Sequence, residues 1–333
     1  MKFFSLFLLL FVIPLVAANH VGCGDVFNSI TLDSPVSSEK GCFVVQKDNI
    51  IIDCAQHVIS YATHFGGYGI NFNGHSGVTI RNCFINGNTT VTSSWAVWMS
   101  QGSNNVIERS TIVTNGKGAG GVYMDSSSQN TIRNANIVTY NENSDAIRFH
   151  NVHNTYLSYN QLQTYHSFNS HGLKMTGMSY DNVLSNLFFD SVNHSIIDET
   201  GNDNVNFFRY SNNYGDIRWL DNGSGSFPRN LTLFARESFG LDTNIVIGKL
   251  GAAVNLPVFT DGKIDSGVLI RFVDLPSKVP IVSIQKTKDY IVPPQKVKGY
   301  NCVGQDCSIL STGKVLRFNS TDLGSFMVVL KKK

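Results

Sequence analysis

The sequence predicts an all-β chain: a right-handed parallel β-helix solenoid followed by a small antiparallel β-sandwich. Three observations predict it. Two series of apolar anchors repeat at a spacing near 25 residues. The segments around those anchors alternate apolar and polar residues instead of showing helical periodicity. Past residue 225 the period stops, and short β-type runs separated by Pro, Gly and Asp-Gly turns take over.

The chain opens with one lysine, an apolar run from Phe3 to Val16, and the small residues Ala17 and Ala18. That layout predicts a signal peptide over residues 1–18, because the run is shorter than the ~20 apolar residues that span a bilayer. No later segment reaches that length. The expected mature protein therefore has no membrane span and is secreted or held at the cell surface. Of the 333 residues, 42% are hydrophobic and 15% charged, the balance of a folded chain with a large core. A net charge of +2 lacks the basic excess of nucleic-acid binders, so no nucleic-acid partner is expected. Six cysteines make an even set for an oxidising compartment. Their positions favour disulfides between Cys23 and Cys42 and between Cys302 and Cys307, and leave the pairing of Cys54 and Cys83 open. Five sequons, at Asn88, Asn193, Asn222, Asn230 and Asn319, are candidate glycosylation sites in an exported protein.

Residues 19–225 carry the solenoid. Pairs of apolar residues five apart recur as Ile80/Ile85, Ile107/Ile112, Ile132/Ile137, Leu157/Leu162 and Leu184/Phe189, with the leading members 27, 25, 25 and 27 apart. A second series, Ile70, Val97, Val122, Ile147, Leu173, Ile196 and Ile217, advances by 27, 25, 25, 26, 23 and 21. Such a period, with two or more β-type runs per turn, fits coils that stack their short strands into parallel sheets. Ile70-Asn71-Phe72, Val97-Trp98-Met99, Val122-Tyr123-Met124, Ile147-Arg148-Phe149 and Leu173-Lys174-Met175 all run apolar, variable, apolar. A strand with one buried face has this pattern. Asn105, Asn130, Asn154, Asn182 and Asn204 are placed in turns, where asparagine tolerates a left-handed backbone. The echo between NSDAIRFHN from Asn143 and NSHGLKMTG from Asn169 is one instance of this repeat, and the residues exchanged between the two are those the coil does not need.

The stretch CGDVFNSITLDSPVSSEKGCFVVQKDNIIIDCAQHVIS, from Cys23, resembles the opening coil of the right-handed β-helix proteins of the NosD-like, carbohydrate-associated group. GVTIRNCFINGN, residues 77–88, resembles their repeat unit. The resemblance covers roughly residues 23–222 and implies the fold. It implies no single activity, since the group mixes lyases, hydrolases, epimerases and non-catalytic surface proteins. For residues 226–333 the runs LTLF, NIVIG, GVLIRF, VPIVSI, KVLRF and SFMVVL predict a sandwich-like module that also caps the open sheet end. Its closing stretch is similar to the module that follows β-helices in some secreted archaeal-type surface proteins.

If the anchors point inward, the residues after them form an outward column: Asn71, Trp98, Tyr123, Arg148, Lys174, Ile197 and Arg218. Trp98 and Tyr123 would offer ring faces to a sugar chain, and Arg148 and Lys174 would pair with its carboxylates or sulfates. A second column precedes the anchors by two: Tyr68, Trp95, Gly120, Asp145, His171 and His194. Strict alternation buries these positions; a turn at the strand start would rotate them out and make Asp145 and His171 an acid-base pair. With Arg148 neutralising a uronate carboxylate and Lys174 beside it, a polysaccharide lyase or epimerase would follow. Asn143-Ser144-Asp145 and His171-Gly172-Leu173 only superficially resemble the Asn-Thr-Asp and Gly-His-Gly motifs of polygalacturonase-type hydrolases. Ser144 and Ser170 stand where Thr and Gly belong, and the second carboxylate that glycoside hydrolysis requires is missing. The cluster His150, His153, His166 and His171 lacks cysteine and sends 150 and 153 to opposite faces, so neither a metal nor another cofactor is expected, and no copper ligand set is seen. The leading expectation is a non-catalytic protein that binds a polysaccharide or surface glycan. The lyase or epimerase and a purely structural adhesion module are the alternatives.

Overall fold

The computed structural model describes residues 22–87, 92–185 and 187–192 without a break, the strand Ala18–His20, and past residue 193 chiefly strands. Residues 1–17, the expected 225/226 boundary, the run LTLF, Asn204 and the sequons at Asn88, Asn193, Asn222 and Asn230 lie outside the described residues.

Each coil lays down three short strands, as in Val97–Ser100, Val106–Glu108 and Thr111–Thr114. Their partners are the equivalent strands one coil away, all parallel, so three sheets run along the solenoid. The two anchor series set the register. Val97, Val122, Ile147 and Leu173 are successive partners in one sheet. Ile80, Ile107, Ile132, Leu157 and Leu184 do the same in the second, and Ile85, Ile112, Ile137, Leu162 and Phe189 in the third. All of these side chains are buried in one continuous core. Each contributes about 1.5–3 kcal/mol on leaving water, which is why the repeat tolerates so much variation between anchors.

The asparagines divide into two roles. Asn154 has the expected left-handed backbone, at φ 53°, but in the other coils that conformation falls on Asn104, Gln129 and Asp181, one residue earlier than predicted. Asn105, Asn130 and Asn182 point inward instead. Asn105 Oδ1 accepts the Val78 amide at 2.8 Å, Asn130 Oδ1 the Asn105 amide at 3.0 Å, and Asn182 Oδ1 the Thr155 amide at 3.0 Å. Buried backbone donors at a corner need partners, and a carboxamide stacked coil on coil supplies them.

The outward column ends at Ile197. Ile217 and Arg218 belong to Gly215–Trp219, which pairs antiparallel with Phe207–Asn212 and Val268–Phe272, so neither continues the Val97 sheet. The physical reason is the link: two residues separate Phe207–Asn212 from Gly215–Trp219, enough for a hairpin and too few for a parallel crossover. From there Val268–Phe272, Leu316–Ser320 and Cys307–Ser311 extend the same sheet in antiparallel fashion. A second antiparallel sheet holds Ile245–Gly248, Gly251–Val254, Ser325–Leu330, Ile281–Thr287 and Tyr300–Asn301. Phe272, Phe318 and Phe326 connect the two with ring centroids 6.2 and 5.7 Å apart, which makes this region a small sandwich.

Cys23 is bonded to Cys42 and Cys302 to Cys307. Cys54 and Cys83, which the sequence left open, form a third bridge between successive coils. No helix among the described residues is long and apolar enough to cross a membrane.

Candidate functional site

The outer face of the Val97 sheet gathers the residues singled out above. Asn71, Trp98, Tyr123, Arg148, Lys174 and Ile197 are successive register partners, about 4.8 Å apart in the sheet. Trp98, Tyr123, Arg148 and Lys174 are half-buried. The rings do not lie flat on the sheet; they stack on one another. Tyr68 and Trp98 have centroids 4.8 Å apart at 29°, and Trp98 and Tyr123 are 4.3 Å apart at 22°. Trp95 then meets Tyr123 at 5.1 Å, and the Arg148 guanidinium sits 5.3 Å from the Trp95 centroid. The two faces of Trp98 are thus covered by Tyr68 and Tyr123. The expectation that Trp98 and Tyr123 offer open ring faces is corrected to a ridge of edges, because rings repeating at the coil pitch satisfy one another first.

Gly120 makes the stack possible. A Cβ at that position would fall 2.0 Å from the Trp95 ring. The ring therefore lies over the glycine, 7% exposed, and forms the floor beneath Tyr123 and Arg148.

Asp145 and His171 do lie at this corner, but the strand-start rotation that would expose them does not occur. They are 0% and 2% exposed. Asp145 Oδ1 takes the His171 amide at 3.0 Å and lies 2.6 Å from His171 Nδ1. Its Oδ2 accepts Arg148 Nε at 2.7 Å, with a second guanidinium nitrogen at 2.6 Å. The echoed segments explain the alignment: Asn169 Nδ2 donates to Asn143 Oδ1 at 2.8 Å and the Ser144 amide donates to Ser170 Oγ at 3.2 Å, so the phrases stack residue on residue. A carboxylate with no exposure must be paired. Removing Arg148 from it would cost about 3–5 kcal/mol.

Lys174 is engaged as well, 3.0 Å from the carboxylate of Glu199, whose side chain is 49% exposed. Such a surface pair contributes only about 0.2–1 kcal/mol. A parallel row of Ser100, Asp125, His150, Thr176 and Glu199 flanks the ridge. His150 Nδ1 lies 3.0 Å from Thr176 Oγ1. Burial, reinforced by the Asp125 carboxylate, pushes the Tyr123 phenol above its ordinary value.

Sequence reasoning named Tyr68, Trp95 and Gly120 as a column without giving them a role, and it did not find Glu199. The available signal was a large-large-small succession on consecutive coils, which reads as one side chain filling the next coil's gap. The remaining residues disperse. His153 stacks on Tyr180 at 5.0 Å and His166 Nδ1 accepts the Phe168 amide at 3.1 Å, apart from His150 and His171. The side chain of His194 lies outside the described residues. Asn319, the one described sequon residue, sits between Leu269 and Ser308 in mid-sheet with its amide oxygen buried, a poor setting for glycan addition.

The fold and this face define a parallel β-helix protein with a stacked aromatic and cationic ridge. A family profile described as periplasmic copper-binding protein (NosD) matches residues 27–215. The chain belongs to the NosD family. Among solved structures it is similar to a tailspike protein mutant of E. coli bacteriophage HK620 in complex with a pentasaccharide, at 8% identity over 94% of this chain and 82% of that one, with a TM-score of 0.22. No curated protein matches the chain. The family description names copper, and the described residues do not fit it. Every cysteine is held in a disulfide, and no three His, Cys, Asp or Glu side chains among the described residues are grouped to hold a metal.

Proposed function

We propose that this is an extracytoplasmic β-helix protein that binds a polysaccharide along the outer face of the Val97 sheet and does not turn it over. The observation that carries this is the unbroken run of ring contacts on one sheet face, Tyr68, Trp98 and Tyr123 stacked, Trp95 tilted against Tyr123, and Arg148 over Trp95. A linear polymer lying along the solenoid meets a related polar and apolar edge at every coil, at about 4.8 Å intervals. Rigid aromatic side chains bind at low entropic cost because they are already fixed by one another. Three disulfides support an oxidising, extracytoplasmic setting.

The lyase or epimerase alternative has one observation in its favour, the 2.6 Å Asp145–His171 contact. Against it, a general base must come within hydrogen-bond reach of the substrate proton, and both groups are buried, with the Asp145 carboxylate already taken by Arg148. The test is retardation of the protein in native gels cast with defined polysaccharides, alongside an assay for unsaturated product absorbing in the ultraviolet. Retardation without product is expected. Ultraviolet-absorbing product from polygalacturonate or alginate would replace binding with catalysis.

A further inference from the structure

We infer that the polymer this face takes is an uncharged glycan, not the carboxylated or sulfated chain that a column holding Arg148 and Lys174 suggests from sequence. The inference rests on the glycan-binding proposal above and names its substrate class. Four observations carry it.

Both cations already have carboxylate partners. Arg148 gives two nitrogens to Asp145 Oδ2, at 2.7 and 2.6 Å, and that carboxylate has no solvent exposure. A polyanion that drew the guanidinium away would leave a buried charge behind, which is among the least favourable changes a site can make. Lys174 is held 3.0 Å from Glu199. Across the face as a whole, Arg148 and Lys174 stand against Asp145, Glu199 and Asp125, so the cationic charge is more than matched. A long anion approaching the ridge meets the half-buried carboxylate of Asp125 and the half-exposed one of Glu199.

The groups that remain suit hydroxyls. Tyr123 offers a phenolic O–H at neutral pH, as any tyrosine does. Trp98 carries an indole donor, Asn71 a carboxamide, Ser100 a hydroxyl, and Asp125 a carboxylate that accepts donors, while the Thr176 hydroxyl is already given to the Phe149 carbonyl. Neutral donors and acceptors interleaved with aromatic edges match a chain of hydroxylated rings with apolar C–H faces. Nothing in that set requires a charge on the ligand.

The experiment measures retardation of the intact protein by neutral polymers (β-glucan, mannan, galactan) and by polyanions (polygalacturonate, alginate, chondroitin sulfate), at low salt and at 1 M salt. The expected result is retardation by at least one neutral polymer, changing less than about twofold at 1 M salt, where charge interactions beyond about 3 Å are screened. Trp98→Ala is expected to weaken that retardation about tenfold or more. Tyr123→Phe, which removes only the hydroxyl and keeps the stack, is expected to weaken it by a smaller factor, so the result stands even if the tryptophan variant folds poorly. Glu199→Gln releases Lys174 and is expected to add polyanion retardation that salt abolishes. Wild-type retardation by polyanions alone, lost at high salt, would overturn the uncharged-glycan inference and leave glycan binding intact. Retardation by neither class would overturn both. Neutral-polymer binding indifferent to Trp98 and Tyr123 would remove the ligand from this face.

Discussion

At the scale of single residues, the two cations of the outward column look equivalent in sequence and are not. Arg148, seated on the Trp95 ring, closes a triad with the buried Asp145 and His171, whereas Lys174 makes one contact with a half-exposed glutamate. Arg148→Ala should therefore lower unfolding free energy by about 3–5 kcal/mol and Lys174→Ala by no more than about 1 kcal/mol, as read from denaturant midpoints at constant slope. Equal losses would mean the Asp145 carboxylate finds another partner. Alternation was enough to read from sequence that Arg148 and Lys174 leave the core. It could not say whether the strand start turns Asp145 outward, because that depends on the partners its carboxylate finds. Arg148 in its own coil and His171 in the next supply them, and Asp145 stays buried.

The elements were legible because their anchors are redundant. Five coils repeat the same inward residues, so the register of all three sheets follows from counting, and every predicted pair from Ile80 to Leu184 is a register partner. What counting could not supply was the polar chemistry between strands. The Asn105, Asn130 and Asn182 carboxamides were assigned to turns on propensity, while the corners required buried acceptors and left the left-handed conformation to the neighbouring residue. The second sheet shows a similar device on its outside, where Asp53, Arg81, Glu108 and Arg133 alternate in charge along one column. Burial raises the Glu108 carboxyl, but hydrogen bonds and charge from Arg133 and Arg109 outweigh it and hold the group below its ordinary 4.5. A carboxylate with a lowered folded value stabilises above its unfolded value and loses that contribution as pH falls through the folded one. Glu108→Gln should therefore flatten part of the stability loss seen below pH 4.5 in urea titrations. An unchanged acid limb would show that the column adds nothing.

Across the whole molecule, the disulfides tie stretches of very different length. The Cys54–Cys83 bridge spans 29 residues and Cys302–Cys307 only 5. On chain entropy alone, breaking the first should cost about 3–4 kcal/mol and the second about 2 kcal/mol. Paired alanine variants followed by thermal unfolding check this ordering, and a larger loss at the short bridge would refute it. The reversal after Phe207–Asn212 was hidden from sequence because the anchor spacing shrank gradually, from 26 to 23 to 21, without a break to mark the hairpin. Where the spacing holds at 25, between Val97 and Ile147, each strand pairs only with its two neighbours and repeats their register. Duplicating or excising one such unit would preserve every backbone seam. On the proposed glycan reading, the length of polymer the face spans is then adjusted by copy number, in steps of one coil, with the backbone ladder unchanged.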